Sequence, residues 1–321
     1  MRLTASDVKS LARECGFDLC GIAAAEAFPE LAGLRDWLAR GFHGEMHYLA
    51  RSADKRCDPQ LVLPGARSVV ALGTLYNTNR PCSTEVADPE IALVSRYAWG
   101  DDYHTVIGER MQGLLARLRE RHGADFAAKP YVDTGPVQER AFAQRAGLGW
   151  IGKNTCLINP QQGSWFFLSV ILCDLELEAD APGVDQCGSC ALCLEACPTG
   201  ALVGAGVMDA RRCLSYLTIE LKGDLPPEWH DVIGSHVYGC DICQDVCPYN
   251  QTAPVSGDPA WQPRPAFDLV RLSELEAMTD DELRAALRGS AMKRTGVRGL
   301  RRNLAIARRR RGAAADGGDP G

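Results

Sequence analysis

The sequence predicts a layered α/β domain, then a smaller cysteine-bound module, then a short basic helical segment. Three observations carry that order. Apolar strands alternate with amphipathic helices in the first half of the chain. Eight of the fourteen cysteines fall between Cys187 and Cys247. Residues 291–311 hold nine Lys/Arg and no acid, in a chain of formal net charge −6. A length of 321 residues suits a main domain with appended modules, at about 100–200 residues per domain.

Thr4 to Cys15 has the spacing of a short amphipathic helix, Leu19 to Ala24 that of a strand, and Leu31 to Arg51 that of a helix with breaks. Ser68 to Tyr76, SVVALGTLY, reads as a buried strand. His104 to Arg121 is the clearest helix, with Val106, Met111, Leu114, Leu115 and Leu118 near one face. Tyr131-Val132 is a short strand running into the turn Asp133-Thr134-Gly135-Pro136, and Ser164 to Cys173, SWFFLSVILC, is a second buried strand. Strands separated by helices argue for α/β (α+β) layers. Beyond Pro248 the chain is proline-rich through Pro265 and reads as a linker, with a helical segment over Leu272 to Leu287. The expected divisions are 1–178 for the α/β domain, 179–252 for the cysteine module, 253–311 for linker and basic helical segment, and 312–321 for a disordered tail.

The cysteines have their own grammar. Cys187, Cys190, Cys193 and Cys197 before Pro198 form a CxxCxxCxxxCP run; Cys240, Cys243 and Cys247 before Pro248 form CxxCxxxCP, with Cys213 between the two. This is the pattern of a two-cluster ferredoxin, in which the last cysteine of a run ligates the other cluster. Applied here, Cys187, Cys190, Cys193 and Cys247 would hold one [4Fe-4S] cluster and Cys197, Cys213, Cys240 and Cys243 the other. Zinc sites do not require this spacing. Disulfides suit an oxidising compartment, whereas the opening MRLTASDVKSLARECGF reads as an amphipathic helix, not a signal peptide, and no apolar run reaches membrane-span length. A cytoplasmic protein without membrane attachment is expected, and nothing demands more than a monomer. Cys15, Cys20, Cys57, Cys82, Cys156 and Cys173 show no ligand spacing and read as small buried hydrophobes.

Two further stretches suggest a site. PYVDTGPVQER places Asp133 at the end of a strand, where open α/β sheets put ligands, although the same aspartate could simply cap the next helix. Gly147, Gly149 and Gly152 in GLGWIGKN let backbone approach something flat or bulky. The basic strip, including Arg294, Arg298, Arg301 and Arg302, is a plausible phosphate-contact surface or a solvated helix face.

RYAWGDDYH, VDTGPVQER, GLGWIGKNTCLI, the cysteine module, CLSYLTIELKG and GCDICQDVCPYN, in that order, resemble the epoxyqueuosine reductase family, with further similarity in AMKRTGVRGLRRNLAIA. The resemblance implies cobalamin in the N-terminal domain beside two [4Fe-4S] clusters, on a fold shared with reductive dehalogenases. It implies reduction of the epoxide of epoxyqueuosine to the alkene of queuosine in a tRNA anticodon loop, with electrons from an unidentified donor. Clusters deliver electrons singly, and reduced cobalt can collect them and attack an epoxide carbon. The opening oxygen then needs a proton. Asp133 is the implied proton donor, and burial beside a corrin is expected to raise its pKa. By motif position the resemblance also implies cobalamin contacts from Asp133, Arg56, Lys153, Asn154, Ser215, Glu220 and Asp241, with Arg96 and Tyr97 lining the cobalt face, and a tRNA-contact loop at Lys222-Gly223. A splayed anticodon base with phosphates held by Lys/Arg agrees with the basic strip. Many members continue into a longer helical tail, so the share of tRNA affinity that comes from the C-terminus here is left open. His104 nearly fits a cobalt-ligating DxHxxG pattern but with one residue too many, and reads as a helix-start residue. Competing readings are a dehalogenase-like cobalamin enzyme acting on a small molecule, a ferredoxin-type electron carrier, and a tRNA-binding module with structural clusters.

Overall fold

The computed structural model describes residues 3–123 and 125–315. Its central sheet contains β1 (Leu19–Ala24), β2 (Ser68–Leu75), β3 (Ala128–Tyr131) and β4 (Phe166–Cys173), in the spatial order β1-β2-β4-β3. Every pairing is antiparallel, with Leu19 opposite Gly73, and both Ser68 and Ala128 opposite Cys173. β2 and β4 are central strands covered on both sides, which explains their unbroken apolar runs. Val70, Leu72 and Ile171 face helices α1 (Ala5–Glu14) and α2 (Tyr103–His122), meeting Val8, Ala12, Ile107, Met111 and Leu114. Val69, Ala71, Val170 and Leu172 face the other way, against Phe142 and its neighbours on α3 (Glu139–Arg145) and Leu31. Truncating a core aromatic such as Phe142 to alanine costs about 3–5 kcal/mol.

Local signals set the ends. Thr4 and Asp7 form a capping box that starts α1, and Gly123, at φ 74°, ends α2 in the left-handed conformation. The antiparallel sheet corrects one inference: with no shared carboxyl edge, the ligand rule of parallel sheets does not place Asp133. Its position follows instead from β3 being an edge strand that stops at Tyr131.

The proline-rich stretch is not a free linker. Trp261 is buried with its ring 4.9 Å from that of Phe167, and Arg110 lies over its indole. The Asn77 amide donates to the carbonyls of Ala253 and Pro254. The expected Leu272 to Leu287 helix is two helices, α4 (Leu272–Ala277) and α5 (Asp280–Leu287), because Thr279 and Glu282 start a new capping box between them. The last helix, α6 (Gly296–Ala315), buries Leu300, Leu304 and Ala307 in a third core with Val94, Val237 and Tyr238 of a short parallel strand pair. It extends to Ala315, into the segment expected to be disordered; residues 316–321 lie outside the described residues.

α6 also holds a π-helix over Tyr216–Glu220, whose wide turns leave carbonyls free of regular partners. Asn303 Nδ2 donates to the carbonyls of Thr218 and Val237 at 2.8 Å each. Arg302 donates to those of Leu217, Leu221 and Gly223 at 2.7, 2.8 and 2.6 Å. This clamp positions Glu220 and Lys222. Among the described residues no helix is long and apolar enough to cross a membrane.

Candidate active site

Asp133 lies just past the end of β3 with φ 57°, a left-handed conformation rare outside glycine, and Thr134 N–H closes a tight turn onto the Val132 carbonyl at 2.6 Å. Backbone strain of this kind costs about 1–3 kcal/mol and concentrates at functional sites. The turn presents a carboxylate whose side chain is 64% exposed although protein atoms crowd it closely enough for desolvation to be the largest influence on it. The carboxylate is thus partly open to solvent and partly crowded by protein.

Its partners come from α2. The Tyr103 hydroxyl donates to Asp133 Oδ2 at 3.0 Å, and His104 Nε2 lies 3.5 Å from the same oxygen. His104 Nδ1 is 2.7 Å from Oδ1 of Asp102, which is 3% exposed, caps α2 and pairs with Lys293 through its other oxygen. Tyr103 is fixed by stacking on Phe167, with centroids 4.6 Å apart and planes 8° from parallel. Arg56, Tyr48, Tyr97, Glu139 and Arg294 are within electrostatic reach of Asp133.

The protein groups around Asp133 work against its burial. Burial works to raise its pKa, but hydrogen bonds from His104 and Tyr103 and the charges of His104 and Arg56 outweigh it, holding the carboxyl below its ordinary value. His104 moves oppositely: burial disfavours its charge, yet Asp133 and Asp102 lift it above the ordinary imidazole value. The proton is retained instead on Glu139, pushed up to about 8 by burial and by the neighbouring Asp133 charge. Its Oε1 is buried with no hydrogen-bond partner among the described residues. Neither His104 nor Glu139 was singled out as a site residue from sequence; the VDTGPVQER and GDDYH motifs contain both, but not their convergence.

The cysteine module forms two thiol groups. Cys193 is influenced by Cys187 and Cys190, and Cys247 by Cys187 and Cys193. Cys240 is influenced by Cys213 and Cys197, and Cys243 by Cys240 and Cys213. Among the described residues no three His, Cys, Asp or Glu side chains are grouped for a single metal ion. Donor chemistry explains why this suits a cubane: each of its irons takes one thiolate, so the sulfurs surround the cluster rather than meet at a point. Trp150 Nε1 donates to Cys187 Sγ and Ala201 N to Cys197 Sγ, each at 3.3 Å. Cys156, read from sequence as a plain hydrophobe, has its thiol against Cys243 and within reach of Cys247.

Several residues expected at the cofactor have other contacts. Lys153 Nζ donates to the carbonyls of Gly188 and Cys190 at 2.7 and 2.8 Å, and Asn154 Nδ2 to that of Cys243 at 3.2 Å, so both tie the thiol loops to the main domain. The glycines beside them admit the protein's own chain: a Cβ on Gly149, at φ 154°, would lie 2.0 Å from the Ile158 carbonyl oxygen. Arg96 is buried, donating to the carbonyls of Thr78, Arg80 and Pro81 between Trp99 and Trp165. Tyr97 donates to the Tyr238 hydroxyl at 3.1 Å. Asp241 is buried, accepting from Ser95 Oγ and Arg96 N at 2.5 and 2.6 Å, and Ser215 Oγ is 3.5 Å from the Cys240 carbonyl. Glu220 binds Arg294 through two hydrogen bonds of 2.9 and 2.7 Å, while the Lys222 ammonium reaches the carbonyls of Ile219 and Arg294. Arg301 is taken up by Asp280 and the carbonyls of Glu276 and Met278; Arg302 points inward, and Arg298 is exposed.

Two family profiles match this chain: "Epoxyqueuosine reductase QueG, DUF1730" over residues 56–134 and "4Fe-4S double cluster binding domain" over residues 186–250. A Gloeobacter violaceus protein named epoxyqueuosine reductase is 45% identical, with 98% of each chain covered. One from Pseudomonas aeruginosa is 44% identical, covering 94% of this chain and 84% of that protein. The chain belongs to the epoxyqueuosine reductase family. A solved epoxyqueuosine reductase "with a tRNA-TYR epoxyqueuosine-modified tRNA stem loop" superposes with TM-score 0.85 at 33% identity, covering 95% of this chain and 80% of that one. A Bacillus subtilis epoxyqueuosine reductase, described with an aspartate catalytic loop swung out of the active site, superposes with TM-score 0.84 at 32% identity, covering 97% and 82%.

Within this epoxyqueuosine reductase family member the residues present fit the groups its sequence implies. The two thiol sets have the donor chemistry that iron–sulfur clusters take. A corrin is a flat apolar ring edged with amides; around Asp133 stand aromatic Tyr97 and Tyr103, Arg56, and a buried Glu139 oxygen unpartnered among the described residues.

Proposed function

We propose that this chain reduces epoxyqueuosine to queuosine in the anticodon loop of tRNA, using cobalamin at the Asp133 site and two [4Fe-4S] clusters in the cysteine module. The observation that carries the reading is the strained turn presenting a partly exposed Asp133 carboxylate, on the same chain as a match to a double-cluster binding domain. When bound, these cofactors supply the electrons and a nucleophile for an epoxide carbon. Cys187, Cys190, Cys193 and Cys247 would hold one cluster and Cys197, Cys213, Cys240 and Cys243 the other, as the grouping of their thiols supports. Arg56, Tyr97, Ser215, Glu220 and Asp241 remain the proposed cofactor-side residues, while Lys153 and Asn154 act through the cluster loops they hold.

Epoxide to alkene consumes two electrons and two protons and releases water. Asp133 is proposed to deliver protons to the oxygen as the ring opens and again as the oxygen leaves. Tyr103 fixes the carboxyl rotamer through its hydroxyl, and Arg56 adds positive potential at the site. Lys222, Gly223, Arg294 and Arg298 are proposed to meet the tRNA backbone, with Arg294 anchored by its two hydrogen bonds to Glu220. The test is anaerobic incubation of cofactor-loaded protein with epoxyqueuosine tRNA and a reductant, followed by nucleoside analysis. Queuosine is expected; its absence from fully loaded protein rejects the assignment. Lack of cobalamin binding would favour an electron carrier.

A further inference from the structure

We propose that His104, clamped by Asp102, is the proton source behind Asp133, so that the general acid of this site is the aspartate–imidazole pair. The inference rests on the reduction proposed above. Four contacts carry it. His104 Nε2 lies 3.5 Å from Asp133 Oδ2; Nδ1 lies 2.7 Å from Asp102 Oδ1; Lys293 holds the other Asp102 oxygen; and the Tyr103 ring stacks on the imidazole with centroids 4.0 Å apart. Capping α2 requires only the His104 amide, which donates to Asp102 Oδ1 at 3.1 Å. The ring contacts exceed that need. They fix the imidazole with one nitrogen on a buried carboxylate and the other on the Asp133 carboxylate, the arrangement by which a carboxylate orients a histidine for proton transfer.

The pair resolves a conflict in Asp133 alone. An acid must carry a proton, yet the Asp133 carboxyl lies below its ordinary value while the neighbouring His104 imidazole, 3.5 Å away, is lifted above its own. As the epoxide C–O bond breaks, its electron pair goes to oxygen, and a proton passes from His104 Nε2 through Asp133 Oδ2 to that oxygen. Asp102 then faces a neutral imidazole, which is 29% exposed and takes a new proton from solvent. A second proton follows the same path, the oxygen leaves as water, and the alkene forms. The two electrons are those of the supplied reductant, which the clusters held by the two cysteine sets would hand on singly. The groups facing the relay are Asp102, Tyr103 and Lys293 around the ring, and Arg56 and Glu139 around Asp133.

Two measurements decide it. In the full-length chain without tRNA, 15N-histidine NMR should show His104 titrating above the ordinary imidazole midpoint, and Asp133→Asn and Asp102→Asn should each lower it. A His104 that titrates at the ordinary value and ignores both substitutions overturns the relay. With loaded enzyme, His104→Gln should reduce turnover on the order of 100-fold and remove the alkaline limb of the pH profile, with stem-loop affinity unchanged. In His104→Ala, free imidazole should restore part of the rate. Wild-type turnover in His104→Gln, or no imidazole rescue in a His104→Ala protein of wild-type iron content and tRNA affinity, also overturns it. A wild-type enzyme that forms no queuosine rejects the functional assignment instead, and the NMR coupling then judges the pairing alone.

Discussion

Asparagine at position 133 keeps the shape of aspartate while removing its charge and its acidic proton. It is also among the few residues that tolerate a φ of 57°, so the turn after β3 should survive the change. The stability cost is the loss of charge-assisted contacts from Tyr103 and His104. Because the Asp133 side chain is 64% exposed, solvent screening limits that cost to under about 1 kcal/mol. The sign follows from the lowered carboxyl pKa: the contribution is full above the ordinary carboxylate range and vanishes as pH falls through the depressed value, so wild type and variant converge in acid. Asp133→Ala should lose a further 1–2 kcal/mol or so, since alanine resists the left-handed region. Turnover should fall about 100- to 10,000-fold in Asp133→Asn, or roughly 3–5 kcal/mol of barrier, with both clusters and cobalamin retained. Anaerobic turnover with nucleoside analysis, paired with iron, sulfide and corrin quantification, measures both halves. Full turnover in a loaded Asp133→Asn protein would remove the residue from the proposed role.

Glu139→Gln should stabilise the protein at alkaline pH, since a carboxyl raised to about 8 loses its favourable protonated state as pH rises through that value; equal melting temperatures for the two proteins from pH 6 to 9 would contradict this. Arg298→Ala should weaken stem-loop binding and reduce the salt slope by about 1 without changing stability, as measured by binding titrations at several ionic strengths. Arg302→Ala should do the reverse, costing about 1–3 kcal/mol in denaturant titrations because the carbonyls of Leu217, Leu221 and Gly223 lose their donor. Trp150→Phe removes the N–H donor to Cys187 Sγ and should lower the reduction potential of the cluster it serves, checked by redox titration; an unchanged potential would show that the bond does not tune it.

Much of the scaffold was legible in residue pattern. Leu19–Ala24 was read residue for residue, and Ser68–Leu75, Tyr103–His122 and Phe166–Cys173 to within two residues at each end, because continuous apolar runs and a 3.6-residue period are local properties. Strand direction was not legible, since alternation of helix and strand is compatible with either sense of pairing. Nor was the fate of 253–265: proline content says linker, but one tryptophan with a place in the core overrides it. Glycine spacing in GLGWIGKN showed that something approaches the backbone without showing that it is the chain's own Ile158 and Ala181.

The sequence by itself determined the chemistry available here: eight cysteines at cluster spacing, an acid in VDTGP, and a family signature spread along the chain. Those are statements about which donors exist, and spacing of a few residues suffices for them. Only the tertiary structure decided which donors meet. Asp102 and His104 begin α2 while Asp133 follows β3, and their approach depends on Tyr103 stacking against Phe167 of β4. That approach sets which group carries the proton, since desolvation and charge act through distance in space. Arg302 and Arg298 carry the same charge on the same helix; only the placement of the π-helix beside one of them makes it a structural clamp and leaves the other exposed.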